Sequence, residues 1–145
     1  MPVSQEILQL THDTEFIDTH EHLLEESTRI LPPDQSPRPG QSLQDFGVLF
    51  SHYAHSDLLV AGMPEQDMQQ LLSPAVDAAD KWPLVEPYYE HARYTGYLRN
   101  VRESVRMLFD EDDIRANNHG AITDKIRKMT RPGYYRHILK DVSRL

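Results

Sequence analysis

Apolar positions recur at helical spacing along most of this chain. The clearest run is Tyr97, Leu98, Val101, Val105, Leu108 and Phe109, with Arg99, Arg102, Glu103 and Arg106 filling the opposite side. Ile122, Ile126 and Met129 mark an inward face for a helix over Ala121–Thr130, and Tyr135, Ile138, Leu139 and Val142 do the same for a last helix over Tyr134–Leu145. Further helices are predicted over Glu65–Leu72, opened by Pro64, and from Asp77 or Asp80 as cap through Trp82 to about Arg93, with a bend at Pro87. Phe46, Val48, Leu49, Phe50, Tyr53, Leu58 and Leu59 predict one from Leu43 to about Ala61, broken near Ser56-Asp57. Pro2–Leu10 reads as a short opening helix with Ser4 as cap and Ile7, Leu8 and Leu10 on its buried side.

One stretch departs from this period. Phe16 and Ile17 begin like a short buried strand, and in an extended backbone Asp18, His20 and His22 project from one face. His-x-His makes a metal-ligand pair only on such a segment, because a helix would need a spacing of three or four. Neutral imidazole is the commonest side-chain ligand for a transition metal, and Asp18 could fix a ring's tautomer from behind. With eight histidines in 145 residues, random order gives about 0.4 such pairs. The spacing alone therefore decides nothing, and a surface strand with ordinary histidines is the plain alternative. Glu25–Ser42, which follows, holds Pro32, Pro33, Pro37, Pro39 and Gly40 and reads as a loop.

The motif Ile17-Asp18-Thr19-His20-Glu21-His22-Leu23 resembles the first-strand signature of the amidohydrolase superfamily. His52-Tyr53, Asp57-Leu58, Ala61-Gly62-Met63-Pro64, Lys81-Trp82 and Pro87-Tyr88-Tyr89 resemble the helical insertion of its uronate isomerase-like branch. The resemblance implies the N-terminal fragment of a (β/α)8 barrel, mainly α with one or two short β-strands. Residues 1–23 would be a helix and the strand bearing His-x-His, 24–42 a Pro-rich loop, and 43–145 the helical insertion and first barrel helices. It also implies a divalent metal ion, zinc by type, held by His20 and His22, with a later His and Asp completing the site. The Tyr53 hydroxyl would lie near a small polar substrate, which the enzyme would hydrolyse, or isomerise if a uronic acid. The chain is shorter than the roughly 250 residues of such a barrel, so it is expected to be the inactive beginning of a longer protein and to bind metal weakly.

Composition narrows the partners. There is no Cys, which excludes disulfides and thiolate metal sites. No apolar run approaches the roughly 20 residues of a membrane span, and the N-terminus lacks a signal-peptide pattern, so a cytoplasmic location is expected. The net charge is −8, and residues 1–60 carry ten acidic and two basic side chains. That field disfavours nucleic acid. His52 and His55 would share a helix face but read as exposed rather than ligating, and Asp110-Glu111-Asp112-Asp113 as a solvated turn with a helix cap rather than a calcium loop. A reading of another class is a non-enzymatic, acidic helical interaction module in which His-x-His is coincidental. Either way, unpaired strand edges and apolar faces lead one to expect self-association as a homo-oligomer.

Overall fold

The computed structural model describes residues 3–15, 17–38, 40 and 42–143, and its described residues contain helices and no strand. Seven α-helices follow in order: α1 Val3–Asp13, α2 Glu26–Arg29, α3 Tyr53–Val60, α4 Glu65–Leu71, α5 Ala78–Ala92, α6 Gly96–Phe109 and α7 His119–Met129. Tight three-residue-per-turn segments cover Pro33–Gln35 and Phe46–Phe50, and Arg136–Val142 is π-helical. The chain divides into two compact units, Leu24–Tyr134 and a smaller one made of Met1–Leu23 and Tyr135–Leu145.

The barrel fragment is overturned. The predicted strand fails first: residues 17–25 have no regular structure, and Phe16 lies outside the described residues. A strand needs a partner for its backbone N–H and C=O groups and a core for its apolar face. No second extended segment is present among the described residues, and Ile17 is 91% exposed. Without strands there is no sheet to close, so neither the mainly-α-with-strands class nor the (β/α)8 assignment holds. The opening helix forms, from Val3, but Ile7, Leu8 and Leu10 are exposed and none of its described residues is buried. Ser4 lies inside its first turn and Pro2 lies outside the described residues. The closing helix is the shorter π-helical segment, also with no buried residue.

Leu24–Tyr134 holds the core. Its centre is aromatic: Phe46 meets Phe50 and Trp82 edge-on at 6.4 and 5.9 Å between centroids, and Phe50 meets Tyr89 at 5.4 Å. Edge-to-face pairs of this kind add to the area they bury. Leu98, Val101, Val105 and Phe109 of α6 and Ile122 and Ile126 of α7 close it, as their spacing predicts, whereas Tyr97 stays 44% exposed. Asp77 caps α5, its carboxylate accepting the Ala79 N–H at 2.9 Å, and Pro83 and Pro87 both lie within that helix. The predicted Leu43–Ala61 helix is divided instead at Ser51-His52, where His52 takes φ 58°. The Pro-rich loop contains α2, whose Arg29 is buried, donates to the Leu43 carbonyl at 3.4 Å and stands over the Tyr134 ring.

Helix α3 ends on Gly62 at φ 99°, with the Met63 N–H reaching back to the Leu58 carbonyl at 3.0 Å and Gly62 to Leu59 at 3.0 Å. This is the six-to-one closure that favours glycine. Nothing crowds a Cβ there, so only the backbone conformation opposes a side chain. Gly62→Ala should therefore lower stability by about 1–2 kcal/mol, read as a lower urea midpoint with unchanged slope.

Candidate functional site

His20 and His22 are brought together, though not by a strand. Their Nε2 atoms are 3.0 Å apart and the rings meet edge to face, with centroids 4.7 Å apart. Both side chains are exposed. Two nitrogens on a tetrahedral zinc with bonds of about 2.0–2.1 Å stand roughly 3.3 Å apart, so the separation of the two Nε2 atoms is within a few tenths of an ångström of that in a chelate. The same approach also suits one proton shared between the rings, because one neutral imidazole donates and the other accepts.

Asp18 does not brace a ring as its position suggests. Its Oδ1 accepts the His20 backbone N–H at 3.0 Å, forming a local turn that tightens the chain between the two residues. Its carboxyl is also hydrogen-bonded to that of Glu21. This bond holds Asp18 below its usual range, helped by the His20 N–H, and pushes Glu21 above its own. Two imidazoles and two carboxyls thus crowd four residues apart in sequence, yet no group of three or more His, Asp or Glu is arranged to hold a metal among the described residues.

Tyr53, at the start of α3, is 52% exposed rather than packed in the core. Its ring is stacked on that of Tyr97, with centroids 5.2 Å apart and planes 15° from parallel. His52 and His55 do not share a helix face, since His52 precedes the helix; the His55 Nδ1 instead donates to the His52 carbonyl.

The acidic run at 110–113 is more than a solvated turn. Asp110 closes α6 in the left-handed conformation, as a cap should. Asp113, read as solvated, is 1% exposed. Its carboxylate accepts the Tyr89 hydroxyl at 2.5 Å and the Ile114 N–H at 2.9 Å, and pairs with Arg93 and, at 3.3 Å, with Arg102. Burial, with the Asp113 bond second, holds the Tyr89 hydroxyl protonated far above its ordinary range. A second hidden pair joins Lys81, fully buried, to Asp45 at 2.7 Å. Asp45 also lines a cleft of about 390 Å³ with Gln44, Asp77 and Arg127.

His119 lies flat on Trp82, with centroids 5.7 Å apart and planes 5° from parallel, and meets Phe46 at 5.2 Å. Burial lowers its pKa, against a smaller opposing pull from Glu86. The folded chain thus favours the neutral ring. That contribution is complete above the unfolded value of about 6.5 and is lost as the pH falls below it. His119→Phe should flatten part of the fall in melting temperature between pH 8 and pH 5, measured by circular dichroism against the parent chain.

Comparison with known proteins returns no match to any family model, curated protein or solved structure. No described helix is long and apolar enough to cross a membrane.

Proposed function

We propose that His20 and His22 supply two ligands of a divalent metal ion, zinc by type, in a metal-dependent enzyme of the amidohydrolase kind. The single observation supporting this reading is the 3.0 Å approach of their Nε2 atoms. The motif around them, residues 17–23, is where the resemblance is most specific. An all-imidazole donor pair suits zinc, and without cysteine the ligand set must be imidazole and carboxylate. Such an ion, when bound, polarises a carbonyl or lowers the pKa of a bound water.

Asp18 restrains the turn through the His20 N–H, and its bond to Glu21 pushes that carboxyl above its usual range. Two ligands leave the site incomplete, so further His or carboxylate donors come from protein outside this pair. The substrate proposed is small and polar, hydrolysed or, for a uronic acid, isomerised. The expected outcome of zinc calorimetry is one weak site per chain, lost in both His20→Ala and His22→Ala. Tight stoichiometric zinc retained by either variant would refute the assignment.

A second reading, an acidic helical interaction module, is favoured by α1, where Val3, Ile7, Leu8 and Leu10 are 59–73% exposed. Sedimentation velocity separates the two: the module predicts concentration-dependent association that Ile7→Glu abolishes and chelator leaves unchanged.

A further inference from the structure

We propose that the stacked Tyr53–Tyr97 pair receives an arginine side chain presented by a basic segment of a partner protein, with Asp57 as its counter-charge. This is independent of the metal reading, since it rests on ring faces and a carboxylate of the larger unit.

The platform is built rather than incidental. Asp57, one turn after Tyr53 on α3, accepts the Tyr97 N–H at 3.2 Å and the Thr95 hydroxyl at 2.5 Å, both on Oδ2. One carboxylate thereby fixes the start of α6, and with it Tyr97, against the helix that carries Tyr53. His52 meets the Tyr53 ring at a steep angle, with centroids 4.2 Å apart, and its backbone lies at φ 58°, ψ −129°. That conformation is ordinarily left to glycine, and strain of this kind gathers where a surface has a task. Two large rings held half-exposed and parallel are otherwise a poor use of apolar area.

Charge and a comparison within the molecule identify the occupant. Tyr94, 75% exposed, carries the guanidinium groups of Arg93 and Arg102 over its ring at 5.5 and 5.1 Å. Tyr53 and Tyr97 have no cation over them among the described residues, although their faces offer the same quadrupole. Asp57 places a negative charge beside the rings, and the chain's net charge of −8 disfavours the phosphates of a nucleic acid, the other partner that stacks on aromatic rings. A guanidinium fits better than an ammonium. It is planar, stacks on tyrosine, and its fork of donors can engage Asp57, whose Oδ1 takes none of the bonds that anchor α6.

The test is a titration of the isotope-labelled chain with a short glycine-spaced arginine peptide, its lysine counterpart and free arginine, followed by nuclear magnetic resonance. The expected result is saturable shifts centred on Tyr53 and Tyr97, with the lysine peptide and free arginine each weaker by about threefold or more. Tyr53→Leu and Asp57→Asn should each lose about threefold to fivefold in affinity, while Tyr53→Phe, which keeps the ring, should bind as the parent does. Circular dichroism checks that the variants fold; the peptide comparison on the parent chain does not depend on them. Equal binding of arginine and lysine peptides, shifts centred elsewhere, or free arginine matching the peptide would each overturn the proposal.

Discussion

Replacing Asp113 with alanine is expected to destabilise the chain by about 3–5 kcal/mol, a large part of the roughly 5–15 kcal/mol typical of a small domain. The carboxylate is 1% exposed and gathers the Tyr89 hydroxyl of α5, Arg93, which follows α5, and Arg102 of α6 around a single charge. Removing it leaves guanidinium groups with nothing to offset their desolvation, and a phenol whose hydroxyl loses its acceptor in the core. Asn at 113 keeps an acceptor but not the charge and should fall between the two. Urea unfolding followed by circular dichroism measures both, and a loss under about 1 kcal/mol for Asp113→Ala would show that the cluster is not a joint of the fold.

The second large effect is expected at Asp45. Its partner Lys81 is fully buried at 2.7 Å, and the Asp45 Oδ1 also accepts the Gly47 N–H at 2.8 Å. Asp45→Ala strands an ammonium in the core and should again remove about 3–5 kcal/mol. The sign reverses in a double variant. Adding Lys81→Met supplies an apolar side chain of similar length and should recover most of the loss, because a buried pair is often no better than well-packed hydrophobic residues. A double variant no more stable than Asp45→Ala alone would mean that the carboxylate matters as a backbone cap, not as a counter-ion. The same corner fixes Gly47, where an added Cβ would stand 2.6 Å from the Leu71 carbonyl oxygen and 2.8 Å from Asp45 Oδ1.

Helices α6 and α7 were legible because each buries one stripe, and a repeated stripe is written directly in the order of residues, whereas α4 and α5 were legible from their starts, at Pro64 and Asp77. The break before α3 was not, since it depends on a single strained residue, His52, in a run of apolar positions that continues helical spacing. Ile17 misled for a different reason. An apolar residue before alternating polar ones looks like a strand entering a core, but a strand exists only where another segment completes its hydrogen bonds, and periodicity says nothing about that. Asp113 and Lys81 were hidden because charged residues are read as solvated by default, and only the partners reveal a buried pair. For the candidate site, the residue types at His20 and His22 were readable, whereas the convergence of their rings in an irregular segment was not.

Nitrogen-15 resonances of the histidine rings during zinc addition decide whether these two imidazoles form a chelating pair. His20 and His22 Nε2 are expected to move together to metal-bound positions, saturating at one ion per chain, while His52, His55 and His119 stay where they were. Zinc that leaves both rings unmoved, or that settles on other histidines first, would contradict it.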